Sequence, residues 1–465
     1  MTIISRQLRL AVRLSALALS LGLVLTACSG GGGTGNGEAP DAQALENADG
    51  VTEVTFWHSM EGTNGKTLDK LIDEFNANHD GLIEVKGVFQ GDYDSAITKY
   101  KAAVQSDTTP GMVQIYDIGT QFMIDSGAVV KTQTFIDRDA YDVSDLQPNI
   151  AGYYTMDDEL WSMPFNTSMP VLYYNKTLFK EAGLDPGKAP LTLEEVGDAA
   201  KKLAKKNGGP AEFGFNAAIY GWLLEQEIAS NGDLYCGPEN GRSGERATEF
   251  SFDNASAVQF GDWWKDLVES GVAGNTGRAT ADAQNAFKTG TIGMTLESTG
   301  ALSGMLAAAE EQDFELGVGY YPRIEENEFG PIIGGASIWI SDEGHSDAEK
   351  EASWQFVKFL AQPDSQATWH TGTGYFPISL SALDEPEDVK WREEHPQFDV
   401  AVQQLADTEL TPVTQGCLAG SMPQARKALE DALEGAILGG DTQQEFSDAV
   451  TALEGEIENY NSSVE

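Results

Sequence analysis

Cations are what this chain has least of. Its 29 Lys and Arg stand against 73 Asp and Glu, for a net charge of −44 at pH 7. Such a surface repels nucleic acid and anionic membrane faces, so neither is the principal partner. An anionic small ligand is not excluded, because salt screens surface charge over about 8 Å and a cleft sets its own local potential. Histidine and cysteine are scarce as well. The five His, at 58, 79, 345, 370 and 395, fall in dispersed contexts, and Cys28, Cys236 and Cys417 have no zinc-site spacing, so no metal and no cofactor is expected. Catalytic signatures are missing too, with no G-x-S-x-G elbow, H-E-x-x-H, Walker A or EF-hand loop. An enzyme is therefore not the expected reading.

What is present begins with a processing segment. Arg6, Arg9 and Arg13 precede an apolar run, Leu14 to Leu25, that is too short to span a bilayer. Leu25-Thr26-Ala27-Cys28 closes it and resembles a bacterial lipobox, in which the cysteine becomes the lipidated first residue. Residues 1–27 are thus expected to be a signal peptide and 28–50 a lipidated Cys28 with a flexible, Gly-rich tether. Losing three Arg and no acid takes the net charge from −44 to −47. With Cys28 acylated, Cys236 and Cys417 remain as an even pair in an oxidising exterior; spacing leaves open whether they meet.

The rest, at 465 residues in all, suits two domains of roughly 150 to 200 residues. Val51 to Trp57 alternates as a strand and breaks at His58-Ser59. Thr63 to Asn76 is helical, Leu82 to Phe89 a strand, Tyr93 to Val104 a helix and Gly111 to Ile118 a strand. This βαβαβ order predicts a parallel sheet whose ligands sit at the carboxyl strand ends, where Trp57, Ser59, Tyr93 and Asp117 fall. Leu160 to Asn175, LWSMPFNTSMPVLYYN, places Pro164 and Pro170 between two apolar runs. Pro cannot donate to a central strand, so the stretch reads as chain crossing from one sheet to another, or as a solvated loop within one.

Beyond it come helices at Lys176 to Ala182, Leu193 to Lys206 (with Thr192 and Glu195 as a capping box), Gly221 to Ala229, Phe252 to Glu269 and Ala281 to Lys288 (with Thr280 as N-cap). Trp263 and Trp264 read as core. Thr291 to Leu296 is a strand ending at Glu297-Ser298-Thr299-Gly300. Gly317 to Pro322 and Ile332 to Ile340, the latter with Gly334-Gly335, read as strands that return to the first lobe. The remainder is mostly helix, ending with Pro423 to Leu438 and Gln443 to Tyr460.

Three places carry candidate chemistry. Ser298-Thr299-Gly300 opens a helix and is either an anion site or simply its N-cap. Ser421-Met422-Pro423-Gln424-Ala425-Arg426 opens another, and a scarce Arg among small residues is a candidate to fork a phosphate, or a surface ion pair. Tyr375, in Gly374-Tyr375-Phe376-Pro377, offers a hydroxyl or an interlobe packing face.

Taken together, FWHSMEG (56–62), QIYDIGT (114–120), PFNTSMPVLYYNK with KEAGLDP (164–186), IIGGASIWI (332–340), TGYFPIS (373–379) and MPQAR resemble the glycerol-3-phosphate and glycerophosphodiester solute-binding proteins of ABC importers. The resemblance runs from Val51 to the C-terminus. It implies an α/β, two-lobed periplasmic-binding-protein fold of maltose-binding-protein type, with discontinuous lobes joined by hinge crossings: 51–164 with about 310–372, and 165–309 with about 373–465. It also implies ligand contacts at Tyr93, Asp117, Ser168, Ser298, Gly335, Tyr375 and Arg426, with a wider set of Trp57, Ser59, Ile219, Trp222, Thr299 and Gly334.

In this scheme Arg426, Tyr93, Tyr375 and the Gly335 amide hold a phosphate, while Asp117, Ser168 and Ser298 bond the glycerol hydroxyls at the other end. Two departures bear on specificity. Asp117 replaces the Glu of enterobacterial members, shortening reach by about 1.5 Å. Ile219 falls where those members carry a Trp, leaving room for a headgroup and so favouring diesters such as glycerophosphocholine. The implied partners are the small glycerophosphoryl ligand and the ABC permease, with a monomer outside the cytoplasm held to the cell membrane by its lipid anchor alone. The rival readings are a binder of neutral sugars or oligosaccharides and a secreted phosphodiester hydrolase.

Overall fold

The computed structural model describes residues 37–325 and 329–464. The expected signal segment, the lipidated Cys28 and the tether up to residue 36 lie outside the described residues. Alternation in Thr52–His58 (β1) turns Thr52, Val54, Phe56 and His58 inward. Helix α1 (Gly62–Asn78) buries Leu68, Leu71, Ile72 and Phe75, one stripe at helical spacing. Strand β2 (Ile83–Phe89) pairs parallel with β1. Asp92 then caps α2 (Tyr93–Gln105), its carboxylate accepting from the Ser95 amide at 2.8 Å. Strand β3 (Met112–Tyr116) is buried at every position and runs parallel to β1. It is shorter than Gly111 to Ile118, because Asp117–Gly119 winds into a 3-10 turn that leads to α3 (Thr120–Asp125).

The crossing stretch is resolved into two strands. After β4 (Val129–Val130) come β5 (Met163–Ser168) and β6 (Pro170–Asn175), every residue of both buried. Further along lie β7 (Phe213–Phe215), β8 (Ile292–Ser298), β9 (Leu316–Tyr320) and β10 (Gly334–Ser341). One sheet has the order β2-β1-β3-β10-β4, with β5 added antiparallel to β10; the other has the order β9-β6-β8-β7. The chain therefore leaves the first sheet at Ser168 and enters the second at Pro170, with Met169 alone between them. The proline chemistry explains both ends. Pro164 falls where the β5–β10 register shifts between Ala336 and Ser337, and Pro170 is the first residue of its strand. Pro164 to Ser168 is thus strand throughout and not open loop.

Several expectations need correction. Leu316–Tyr320 does not return to the first lobe; it pairs antiparallel with β6, and only β10 goes back. Period-2 patterning cannot choose a partner, and both strands pattern alike. Thr280 is the first residue of its helix, with Ala279 in the cap position. Thr192 does accept from the Glu195 amide at 3.2 Å, but the Glu195 carboxylate reaches the Leu191 N–H at 2.7 Å, one residue short of a closed capping box.

Two large clusters of buried side chains back the two sheets. Trp264 is fully buried, whereas Trp263 lies at the edge of that core with its indole donating to the Leu193 carbonyl at 2.8 Å. Full burial of such side chains contributes roughly 1.5–3 kcal/mol each. Cys236 and Cys417 are joined in a disulfide, their Cα atoms 5.7 Å apart, which pins the short strand at Cys236 to the segment preceding the helix that carries Arg426. No helix among the described residues is long and apolar enough to cross a membrane.

Candidate functional site

The loops at the carboxyl ends of the strands converge where the two sheets meet, as parallel α/β sheets require of a ligand site. From the first lobe, a chain of hydrogen bonds sets Tyr93. The Ser59 amide donates to Gln114 Oε1 at 2.7 Å, Gln114 Nε2 to Asn166 Oδ1 at 2.6 Å, and Asn166 Nδ2 to the Tyr93 hydroxyl at 2.7 Å. Tyr93 stacks on Tyr116, ring centroids 5.5 Å apart. Tyr375 is held by its ring on Trp369, centroids 5.7 Å apart at 8°, while the next residue's amide, Phe376 N–H, donates to the Thr167 carbonyl at 2.8 Å. Burial pushes the phenols of Tyr93 and Tyr375 above their ordinary pKa, so both are neutral hydroxyl donors at pH 7.

Glycine is required by contact at two places. Gly335 has φ +97°, and a Cβ there would lie 1.8 Å from the Asn166 carbonyl oxygen. A Cβ on Gly334 would lie 2.6 Å from the Trp222 indole, so Trp222 packs directly on the strand that also pairs Gly334 with Ser168. Ser298 ends β8 opposite Pro170, and its hydroxyl accepts from the Gly300 amide at 3.0 Å, which makes it the cap of the following turn. Thr299 is buried, its amide donating to the Met169 carbonyl at 2.9 Å. Trp57 is half-buried against the core, and the Ser59 and Trp222 polar side-chain atoms are buried without a partner. Ile219 is 1% exposed and belongs to the core cluster rather than to an open wall.

Arg426 lies in the helix Met422–Ile437, whose first turn contains Pro423. Its Nε and Nη2 each donate to Glu225 at 2.7 Å, Nη2 donates also to Asp117 Oδ2 at 3.1 Å, and Nη1 reaches the Tyr220 hydroxyl at 3.5 Å. The Tyr116 and Tyr220 rings lie 5.9 and 5.6 Å from the guanidinium carbon. Burial alone would lower the pKa of Arg426; Asp117 and Glu225 outweigh that and hold it well above the ordinary value. The expectation of Asp117 and Arg426 at opposite ends of a ligand is therefore corrected: they touch each other. Arg426 pairs with two carboxylates, Asp117 at 3.1 Å and Glu225 at 2.7 Å.

Glu225 escaped the sequence reading. It stands in Gly221–Ser230, a helix buried at every position, where Glu225, Gln226 and Glu227 interrupt apolar residues on both sides. That run was the available signal, since a charge inside an all-buried helix demands a partner.

Residues 70–398 match the family of bacterial extracellular solute-binding proteins. The chain belongs to that family. This solute-binding protein is 34% identical over 414 residues to the sn-glycerol-3-phosphate-binding periplasmic protein UgpB of Yersinia enterocolitica, covering 87% of the chain and 92% of the relative. In fold it is similar to UgpB from Mycobacterium tuberculosis, solved in complex with glycerophosphocholine, at a TM-score of 0.75 and 22% identity over 88% of this chain and 98% of that one. It is similar also to maltose-bound MalE3 of T. maritima, at a TM-score of 0.70 and 20% identity over 88% and 99%. The two-lobed, maltose-binding-protein type of fold is thus that of this solute-binding protein.

Proposed function

We propose that the protein is the extracytoplasmic binding component of an ABC importer, taking a glycerophosphoryl compound into the cleft between its lobes and presenting it to the permease. The ligand is a glycerophosphodiester such as glycerophosphocholine, or sn-glycerol-3-phosphate. The observation that carries this reading is one buried guanidinium, Arg426, whose Nη1 lies by the Tyr220 hydroxyl and whose Nη2 donates to Asp117 from the first sheet. The 34% identity to proteins named for sn-glycerol-3-phosphate supports it. Arg426 Nη1, the Tyr93 and Tyr375 hydroxyls and the Gly335 backbone take the phosphate; Asp117, Ser168 and Ser298 take the glycerol hydroxyls. Ligand binding and lobe closure are then one equilibrium. No catalytic step is part of the function, and Cys28 anchors the chain to the membrane from outside the described residues.

Calorimetric titration with glycerol-3-phosphate, glycerophosphocholine and maltose tests it. Binding of either phosphate compound, unaffected by maltose, is the expected result. Tight maltose binding with no phosphate response would replace this reading with the neutral-sugar one. Release of free choline or glycerol during incubation would instead mark a hydrolase.

A further inference from the structure

Glu225 occupies the edge of Arg426 that a phosphate would otherwise fork. A guanidinium binds an oxyanion bidentately through paired N–H groups, and here the Nε/Nη2 pair is committed to Glu225 Oε1 and Oε2, both at 2.7 Å. The second Nη2 hydrogen goes to Asp117. Only Nη1, with the Tyr220 hydroxyl at the 3.5 Å limit, is left to an incoming ligand.

The surrounding charges sharpen the point. Glu225 faces Arg426, Asp117, Tyr220, Tyr235 and Tyr153. Glu430, one turn past Arg426 in the helix Met422–Ile437, accepts from the Gly221 amide at 3.0 Å, at the start of the helix that carries Glu225. Arg242 is the other cation near Tyr153, and its donors go to the Tyr153, Gln415 and Gly416 carbonyls. Three carboxylates thus face two guanidinium groups, and one of those is turned to backbone oxygen. The donors left for a phosphate are one guanidinium nitrogen and neutral hydroxyls.

We propose that Glu225 is the residue that sets the charge this cleft accepts, favouring a phosphate with one negative charge, as in a phosphodiester, over a phosphomonoester with two. The assignment rests on the glycerophosphoryl reading above and adds the selecting residue. A monoester carries about −1.5 to −2 at pH 7 because its second pKa is about 6, whereas a diester stays at −1. The second charge would meet the Glu225 and Asp117 carboxylates with no donor edge free to balance it.

The test is calorimetric titration of the wild-type protein and of Glu225→Gln with glycerol-3-phosphate and glycerophosphocholine, at about pH 5.5 and about pH 8. Taking the ratio of the two affinities removes changes common to both ligands. In the wild type the ratio should shift toward the monoester by roughly tenfold on acidification. In Glu225→Gln at the higher pH it should shift the same way by roughly tenfold or more, and its pH dependence should shrink. A wild-type ratio that does not move with pH overturns the proposal without any variant, and the variant assigns the preference to Glu225. A ratio indifferent to pH in the wild type, or equal losses for both ligands in the variant, overturns the assignment alone. A wild type that binds neither compound overturns it together with the functional reading.

Discussion

Asp117, directly after β3 of the first sheet, accepts from Arg426 Nη2, in the helix Met422–Ile437, at 3.1 Å. The same guanidinium is held on its other edge by Glu225. Removing Arg426 therefore acts on both carboxylates at once.

In Arg426→Ala, two buried carboxylates lose their counter-charge. Stability should fall by about 3–5 kcal/mol, read from denaturant unfolding. Affinity for glycerophosphocholine should fall by about 2–5 kcal/mol in the same variant, read by calorimetry. Wild-type-like titration would remove Arg426 from the site.

A second long-range contact ties α3 to the C-terminal part of the chain. Asp125, in α3, accepts from Arg246 Nη1 at 3.0 Å and from the Tyr460 hydroxyl at 2.9 Å, and Tyr460 belongs to the C-terminal helix Thr442–Val464. Breaking it in Asp125→Ala should favour the open form. Faster ligand dissociation, by roughly tenfold, is the stopped-flow expectation, with a larger radius of gyration in solution scattering. An unchanged dissociation rate would make the contact a bystander.

The disulfide closes a sequence separation of 181 residues within the second lobe. Its loss in a Cys236→Ser, Cys417→Ser double variant should lower stability by about 2–5 kcal/mol. Because Cys417 precedes the helix of Arg426, affinity should weaken too. Thermal melts of wild type with and without reductant give the same comparison without mutation.

Glu227 supplies a pH dependence. It accepts from Asn231 Nδ2 and the Ile324 amide, both at 2.9 Å, and burial pushes its carboxyl up to about 8 against an ordinary 4.5. The folded state therefore holds a proton that the unfolded chain has lost, and stability contributed by that proton declines as pH rises from about 4.5 to about 8. Glu227→Gln, which is neutral at every pH, should flatten that decline and be the more stable form at pH 8. Parallel stability-versus-pH curves for the two proteins would refute it.

How much was legible follows from what each signal measures. Periodicity and caps are local, so β1, α1, β2 and α2 lie within a residue or two of where spacing places them. Pairing is not local. The strand Leu316–Tyr320 and the strand Gly334–Ser341 pattern alike, yet one joins β6 and the other β3. The crossing at Pro164 to Pro170 was readable because proline's missing N–H constrains which strands can hold it, whatever the fold around it.

Composition and local chemistry were enough for the α/β elements, the prolines at the crossing and the scarcity of cations. Which charges meet was settled by packing: Arg426 pairs with Asp117, and Glu225, 201 positions away, takes its forked edge. Backbone preferences act over a few residues. The partner of a buried charge is chosen by packing, which brings together groups hundreds of residues apart and leaves no trace in their spacing.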